Sequence, residues 1–380
     1  MERFRACFAD LADPRTGNAQ RHDLLEILLL ALAATLAGAE SCVDMAEFGR
    51  AKEPFLRRFL ALPGGIPSHD TFSRLFRLLD PAGFEACFGR FVAAFATQIG
   101  QVVAVDGKTA RRSFDRGAGR DPLHLVSAPP VPPGTGCFAV GSARGRWACE
   151  QQLVLGQRNA EGSEITALPE LLALLSLDGC TVTADALHCQ KATARAILGR
   201  GADYVLALKG NRPALLEEVR MLLDDPAVLP DDRVETTDGD HGRIEIRRAE
   251  VVHDVAWLAE AHAWPGLRAV GKVAATRESD GRTTTATRYY LLSKPLAAAR
   301  FAEIVRTHWQ IENRLHWVLD TAMDEDRSRS RKDHGPENLA RLRRFALNLI
   351  RTNPTKGSTR GKIKRAAWDD QFLLDILRAA

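Results

Sequence analysis

The chain has 380 residues, of which 45% are apolar and 26% are charged, so it is long enough for two or three domains and has the composition of a soluble globular protein. Its seven cysteines form no CxxC pair, which argues against a disulfide framework and a zinc site and favours a reducing, cytoplasmic location. The longest apolar run, 27–39, is too short to span a bilayer, and the first residues lack a secretion-signal pattern, so we expect no membrane association.

Residues 1–98 have the apolar spacing of helices and form a predicted all-helical N-terminal domain. Long helices are predicted over 24–39 and 43–59. Ser68 is a predicted N-cap, and Pro81 is predicted to begin the next helix. The two helices around the Ser-His-Asp turn fit either a DNA-reading helix-turn-helix variant, which would recognise a DNA end, or a purely structural pair.

After residue 98 strands and helices alternate, which predicts an α/β sheet with helices on its faces. Two buried strands each deliver an acid to their C-terminal end. VVAV is followed by Asp106 and a predicted glycine turn, and TVTA is followed by Asp185. The other predicted elements are a strand at 204–208 that leads to Lys209 and Asn211, strands at 124–128 and 153–156, and helices at 165–177 and 188–200.

The segment 129–151 is rich in Pro and Gly and has neither helical nor strand periodicity, although it lies between two predicted core strands. Such a segment inside a compact domain is a functional loop, a disordered insert or a sequence accident. The sequence alone leaves these three alternatives open.

A β-rich insertion is predicted over about 231–293, where residues alternate and two strands pair across the turn at 279–281. Arg243 and Arg247 alternate with isoleucines, so they share one face of a strand and are candidates for phosphate contacts. The chain then returns to helices, with an amphipathic helix predicted over 337–350.

Basic residues are unevenly distributed, although the formal net charge is only +4. They cluster at 108–120, 243–248, 327–332, 341–344 and 351–365. The last cluster contains six Lys or Arg residues and no acid, and we expect it to be a linker before a short helix over 368–377. Several separate clusters indicate a track for a polyanion, and the alternative for any one of them is ordinary solvated arginine.

In the stretch THWQIENRLHWVLDTAMDED, Glu312 is flanked by aromatic, apolar and imidazole side chains, and no other acid is nearer than Asp320. As a helix it places His308, Glu312 and His316 at i, i+4 and i+8, in one row. A carboxylate in that setting is not expected to be a solvated surface charge. It is either salt-bridged to Arg306 or Arg314, or it is a metal ligand or a general base.

Asp106, Asp185 and Glu312 together point to a metal site. Three carboxylates at one edge of a sheet can hold two divalent cations about 3.5–4 Å apart, and hard oxygen ligands select Mg²⁺ or Mn²⁺. Such a pair activates a water or a 3′-hydroxyl for in-line phosphoryl transfer. The alternative for a single Asp after a strand is that it caps the next helix. The following acids, Asp320, Asp324, Glu325 and Asp326, either support metal binding or pair with Arg327, Arg329 and Arg331.

Motifs along nearly the whole chain resemble the DDE transposases of bacterial insertion sequences, in particular the H-repeat-associated group. The matching stretches follow the family's order and include GIPSHDTFSRLFRLLDP, VVAVDGKTARRSFD, HLVSA, LVLGQ, VTADALHCQ, GADYVLALKGNRP, HGRIEIRR and HWQIENRLHWVLDTAMDEDRSRSRK. The resemblance implies an RNase H-like catalytic core with a β insertion before the final acid. We therefore divide the chain into a helical N-terminal domain (1–98), a catalytic domain (99–350), and a basic linker with a C-terminal helix (351–380).

The resemblance also implies that Asp106, Asp185 and Glu312 are the catalytic triad, that they bind the two metal ions, and that the substrate is double-stranded DNA. Basic and aromatic neighbours in the matching motifs become candidate DNA contacts: Lys108, Arg111, Lys209, Asn211, Arg243, Arg247, His308, Trp309, Asn313 and His316. For some of these residues a structural alternative stays open. In these alternatives, Lys209 simply faces solvent, Trp309 and Trp317 pack in a helical core, and His308 and His316 hold Glu312 by hydrogen bonds.

The function implied is divalent-metal-dependent strand cleavage and transfer at insertion-sequence ends, by a homodimer or higher oligomer on the DNA. The family passes from HLVSA to LVLGQ through a short link, so the segment 129–151 is a departure from its pattern. Two other hypotheses therefore remain. One is a decayed copy that binds DNA without cutting, and the other is a structure-specific host nuclease with the same triad.

Overall fold

A computed structural model describes residues 1–93, 102–110, 113, 123–127, 130–131, 154, 157–159, 164–175, 177–240, 243–279 and 282–379. Of the segment 129–151, only Pro130 and Val131 are among these residues, as a two-residue strand beside Val102 and Val103. The rest of that segment and Arg111 lie outside the described part of the chain. Within the described part, no helix is long and apolar enough to cross a membrane.

Helices account for most of the first 93 residues. They are α1 (Glu2–Phe8), α2 (Leu24–Leu36), α3 (Cys42–Ala51), α4 (Glu53–Leu56), α5 (His69–Leu78) and α6 (Pro81–Ala93). Side chains cap several of them, as the sequence predicts for Ser68, which accepts a hydrogen bond from the amide of Thr71. The predicted helix 43–59 is instead two helices, and the second begins with Pro54 in its first turn, where a proline costs no hydrogen bond.

Three C-terminal helices pack against these N-terminal helices. They are α13 (Gly335–Thr352), α14 (Thr359–Trp368) and α15 (Asp370–Ala379), and α13 contacts α2, α5 and α6. The amphipathic helix predicted at 337–350 is present but has no solvated face, because every residue from Glu337 to Ile350 is buried. Its polar side chains meet buried partners, as when Arg341 pairs with Glu85 of α6. The predicted basic linker is also partly wrong, since α14 lies within it.

Aromatic packing joins the two ends of the chain. The ring of Phe345 in α13 stacks on Phe4 and Phe8 of α1 and meets Phe88 and Phe91 of α6 edge to face. Such pairs add about 0.5–1.5 kcal/mol each beyond their buried area. The first and last helices therefore form one helical body.

The rest of the described chain forms a mixed ten-stranded sheet with flanking helices. Its strands are β1 (Val102–Ala110), β2 (Leu123–Ser127), β3 (Pro130–Val131), β4 (Gln157–Asn159), β5 (Thr181–Ala184), β6 (Asp203–Leu208), β7 (Asp232–Asp240), β8 (Arg243–Val252), β9 (Ala269–Ser279) and β10 (Arg282–Leu292). The order is β4-β2-β1-β5-β6-β10-β9-β8-β7, and β3 pairs with β1. The predicted α/β class is confirmed.

Strands β1, β5 and β6 are parallel, whereas β2 and β10 run antiparallel to their neighbours in that group. Helices α7 (Glu164–Ala173), α8 (Lys191–Leu198), α9 (Pro213–Asp224), α10 (Ala256–Ala261) and α11 (Ala298–Ile311) surround the sheet. The strands predicted at 231–293 are present, and they extend the central sheet, because β10 pairs with β6. Of the strand predicted at 153–156, only Val154 is among the described residues, where it lies outside a strand, and β4 begins at Gln157.

The predicted glycine turn after Asp106 is also wrong. Strand β1 runs on through Gly107 and Lys108 to Ala110, because β2 pairs with it over that length. Its pairing with β5 stops one residue before Asp106, at Val105. Asp106 therefore lies where one neighbouring strand of β1 ends and the other continues.

Candidate active site

Asp106 and Asp185 are placed side by side by the register of two parallel strands. Val105 of β1 is opposite Ala184 of β5, and each acid is the next residue of its strand's chain. The backbone amide of Gly107 donates to the Asp106 carboxylate at 2.9 Å. Asp185 also caps the short 3₁₀ turn that follows it, since its carboxylate accepts a hydrogen bond from the amide of His188. Two half-exposed carboxylates thus share one edge of the sheet.

A long helix lies over this edge. Helix α11 passes into a π-helical segment, Glu312–His316, and then into α12 (Trp317–Ala322). Near its C-terminal end, His308 Nδ1 lies 3.0 Å from the hydroxyl of Thr183 in β5. Further along, His316 Nδ1 lies 3.7 Å from a carboxylate oxygen of Asp106. The helix therefore contacts β1, which contains Asp106, and β5, which is followed by Asp185.

Glu312 is turned differently from the two histidines. The predicted row of three side chains assumes a regular α-helix, whereas the π-helical segment changes the angular step between residues. His308 and His316 face the sheet, while Glu312 and its neighbour Asn313 are exposed at the wall of a cleft. The expectation that Glu312 is shielded from solvent is wrong. The alternative in which Glu312 forms a salt bridge to Arg306 or Arg314 is not observed among the described residues, and Arg306 pairs instead with Asp238 at 3.0 Å.

The predicted site with three carboxylates and two metal ions is not assembled in this conformation. Among the described residues, no three His, Cys, Asp or Glu side chains are grouped so that they could hold a metal ion. Asp106 and Asp185 nevertheless present carboxylate oxygens from the adjacent strands β1 and β5. Carboxylate oxygens are the ligands that Mg²⁺ and Mn²⁺ prefer. Two of the three acids therefore fit the expected ions, and Glu312 would have to turn from the cleft toward them.

The histidines beside these acids are neutral at physiological pH. Burial lowers the pKa of His308 to about 4, helped by nearby His188 and opposed by Asp185. Burial also lowers the pKa of His316 to about 4, helped by the positive charges of Arg344 and Lys108. Neutral imidazoles can contact residues of β1 and β5 without adding positive charge beside the Asp106 and Asp185 carboxylates.

Lys108 is not a surface cation. Its side chain is 8% exposed, and its ammonium lies 2.7 Å from Asp320, 3.1 Å from Asp326 and 3.5 Å from Glu325. Although burial opposes the charge, the carboxylates of Glu325 and Asp320 raise the pKa of Lys108. The structure thus corrects its predicted role as a DNA contact, because the amine is already committed to three acids.

The same cluster corrects the pairing predicted for Asp320, Glu325 and Asp326. Glu325 is fully buried between Lys108 and Arg344, which lies 2.6 Å away, and Asp320 and Asp326 also pair with Lys108. Asp324 has the predicted kind of partner, Arg327 at 3.5 Å. This cluster ties β1 to the helical body directly behind Asp106. Nothing in the local sequence indicates it, because Lys108 and Glu325 are far apart in the chain.

Two clefts flank the helix near the acids. The smaller has a volume of about 350 Å³ and is lined by Asp185, Lys209, Arg220, His308 and other residues. The larger, of about 770 Å³, is lined by Arg247, Arg306, Glu312, Asn313 and strand residues of β7 to β10. Both include Trp309 and Arg288. The Arg288 guanidinium lies 4.2 Å from the Trp309 ring centroid, and Trp309 is 41% exposed, so this stacked pair forms the ridge between the clefts.

The other predicted DNA contacts are distributed unevenly. Lys209 is exposed in the smaller cleft, whereas Asn211 donates to the carbonyl of Ala186 and so braces the turn after Asp185. Arg247 is paired with Asp238 at 2.6 Å and with Glu245 at 2.7 Å. The side chain of Arg243 lies outside the described part of the structure.

Four cleft arginines are absent from the predicted DNA contacts: Arg220, Arg277, Arg288 and Arg306. Arg220 and Arg288 lie on α9 and β10, outside the basic clusters. Arg306 was noticed only as a partner for Glu312. A single arginine on an amphipathic helix or an alternating strand carries no signal that separates a cleft position from an ordinary solvated one.

Comparisons with known proteins identify two matching family models. The model described as DDE_Tnp_1-associated matches residues 5–92, and the model described as Transposase DDE domain matches residues 148–349. Asp185 and Glu312 fall inside the second match, and Asp106 precedes it.

Two relatives illustrate the similarity. An uncharacterized protein in the dhlA 3′ region of Xanthobacter autotrophicus is 43% identical over 293 residues, which is 75% of this chain and 92% of that protein. The protein named "H repeat-associated putative transposase YhhI" of Escherichia coli (strain K12) is 33% identical over 368 residues, 94% of this chain and 92% of its own length. The similarity thus extends over the helical body as well as the sheet.

Proposed function

Because the chain belongs to the DDE transposase family of bacterial insertion sequences, in its H-repeat-associated group, we propose that it cuts DNA at the ends of such an element and joins the exposed 3′ ends to target DNA. The family domain implies an RNase H-like α/β fold, and the mixed sheet with flanking helices agrees with that. Within this fold we regard β7 to β10 as the insertion before the last acid, and the N-terminal helices as the part that recognises element ends.

The observation that carries the proposal is the adjacency of Asp106 and Asp185 beneath the helix that bears Glu312. In the proposed site, Asp106 and Asp185 would hold Mg²⁺ or Mn²⁺, and Glu312 would turn inward to complete the ligand set. When bound, the two ions supply an activated water or 3′-hydroxyl and stabilise the leaving oxygen. His308 and His316 hold the helix over the strands and keep the site free of additional positive charge.

The clefts give the DNA strand a route past these acids. Lys209, Arg220 and Arg288 surround the smaller cleft next to Asp185, and all three can neutralise phosphates. The exposed ring of Trp309 offers a face for stacking at the ridge between the clefts. Arg247 is a weaker candidate, because a phosphate would have to compete with two carboxylates for its guanidinium.

The reaction joins two element ends, so we propose that the active form on DNA is at least a dimer. Its substrate is chromosomal and element DNA, which places the reaction in the cytoplasm. Both points follow from the reaction that the family performs.

The proposal is tested with purified protein and labelled duplexes that carry the element ends, in Mg²⁺ or Mn²⁺ and then with a chelator. We expect metal-dependent nicking at the terminal sequence and joining of the 3′ end, both lost in Asp106→Asn and retained in the exposed-acid control Asp178→Asn. Specific binding without cutting would instead identify a decayed copy. Cutting without end specificity or joining would identify a host nuclease.

A further inference from the structure

The basic tail, residues 351–368, has a folded, exposed face that the proposed catalytic site does not use. It contains six Lys or Arg residues between 351 and 365, and helix α14 forms its second half. Residues Ile363 and Ala366 of α14 are buried. Arg360, Lys364 and Trp368 are exposed at i, i+4 and i+8, so they follow one another along the opposite face of the helix.

Three of the six basic residues have structural roles. Arg351 donates to the backbone carbonyl of Arg314. Lys362 donates to the carbonyls of Ile350 and Asn353 at 3.2 and 2.7 Å, which caps the end of α13. Arg365 lies over the ring of Phe372, 4.3 Å from its centroid, and lies 3.4 Å from Asp369.

The other three cations, Lys356, Arg360 and Lys364, are exposed and make no ion pair with any described residue. With them is Trp368, which is 77% exposed, a large fraction for an indole. No acid interrupts the stretch from 351 to 368. A row of unneutralised cations that ends in an exposed aromatic ring is the pattern of a polyanion contact.

The position of this face relates it to the active site. Helix α14 packs against α12, which begins directly after the π-helical segment that contains Glu312. The same helical run carries the exposed side chains of Arg314 and Trp317, the latter 62% exposed. The packing of α12 against α14 therefore brings the basic face of α14 near the helical run that contains Glu312.

We propose that Lys356, Arg360, Lys364 and Trp368 form a contact surface for the phosphate backbone of the duplex that flanks the cleavage site. The row from Arg360 to Trp368 extends about 12 Å along the helix, a length over which duplex DNA presents about seven phosphates. The inference rests on the proposed function for the identity of the polyanion, but it concerns binding and not catalysis.

The test measures the affinity of the full-length protein for a duplex, without divalent metal, as a function of salt concentration. Each phosphate contact contributes about 0.9 to the slope of log K against log [salt], so the triple change Lys356→Ala, Arg360→Ala and Lys364→Ala lowers the slope by up to about 2.7. The matched control removes three exposed arginines elsewhere, Arg195→Ala, Arg233→Ala and Arg268→Ala, and leaves the slope near its original value. Trp368→Ala weakens binding about fivefold with no change of slope, because a neutral ring releases no counterion.

An unchanged slope in the tail variant, or an equal fall in both triple variants, would overturn the inference. A wild-type protein that binds no DNA would overturn both this inference and the proposed function. A selective fall of slope in a protein that never cleaves DNA would support the contact surface while contradicting the catalytic proposal.

Discussion

The imidazole Nδ1 of His316 lies 3.7 Å from a carboxylate oxygen of Asp106. Two helical turns earlier, His308 Nδ1 lies 3.0 Å from the hydroxyl of Thr183 in β5, the strand next to β1. In the sequence, the two histidines lie on either side of Glu312. Their neutral side chains therefore position the helix that carries Glu312 relative to β1 and β5.

The hydrogen bond between Thr183 and His308 is testable by an isosteric change. Thr183→Val keeps the volume of a buried side chain but removes the hydroxyl, and it leaves His308 Nδ1 unsatisfied. We expect a loss of about 1–3 kcal/mol in the free energy of unfolding, measured in urea. The control Thr321→Val alters an exposed threonine and should cost less than about 0.5 kcal/mol. Equal stability of the two variants would show that this contact does not fix the helix.

The lowered histidine pKa values predict a pH dependence of stability. In the folded protein both His308 and His316 have a pKa of about 4, below the value of 6.5 that an unfolded chain retains. Their stabilising effect is therefore fully present above pH 6.5 and is lost as the pH falls toward 4, because the unfolded state binds protons first. Each group contributes up to about 1.4 kcal/mol per pH unit in that window.

Urea titrations at several pH values compare the wild type with His308→Gln. The variant should lose stability less steeply between pH 6 and pH 4.5, since one of the two buried imidazoles is gone. Parallel pH profiles for both proteins would mean that His308 is protonated in the folded state as easily as in the unfolded state.

Lys108 should matter for stability and not for the salt dependence of DNA binding. Lys108→Met leaves the fully buried Glu325 with one cation fewer and also removes the partner of Asp320 and Asp326. Breaking a buried pair in this way costs about 3–5 kcal/mol, which denaturant unfolding measures. The exposed Lys332→Met is the matched control, with less than about 0.5 kcal/mol expected. A stable Lys108→Met protein with a reduced salt slope would restore Lys108 as a DNA contact.

The ridge between the clefts predicts a specific effect of Arg288. Arg288→Met removes the guanidinium above Trp309 and, if that cation also meets a phosphate, lowers the salt slope of DNA binding by about 1. Arg268→Met is the control, because Arg268 is an exposed arginine that lines neither cleft. The same slope in both variants would show that Arg288 at the ridge makes no phosphate contact.

The sequence predicts some parts of the site well for a physical reason. Parallel strands that are buried on both faces carry continuous apolar runs, so the runs before Asp106 and Asp185 identify the strands and the edge where the acids meet. Helix caps such as Ser68 are equally local and are found in the same way.

Other features depend on contacts between distant segments or on small changes of geometry. The π-helical segment alters the direction of Glu312, yet apolar spacing of a helix does not distinguish it from a regular α-helix. Strand β1 continues through Gly107 because β2 pairs with it, and no local sequence pattern indicates this pairing. Helix α14 buries only Ile363 and Ala366, so its sequence resembles a basic linker.

The central claim is that Asp106, Asp185 and Glu312 act as one metal site, and single-turnover cleavage of an element-end duplex in Mg²⁺ tests it most directly. Asp106→Asn, Asp185→Asn and Glu312→Gln should each slow cleavage by about 10³-fold or more, and a double variant should be no slower than its slower parent, because groups that act as a unit are not additive. Glu303→Gln, an acid of the same helix and cleft, should cleave like the wild type. Unimpaired cleavage by Glu312→Gln, or multiplicative losses in the double variants, would contradict the claim.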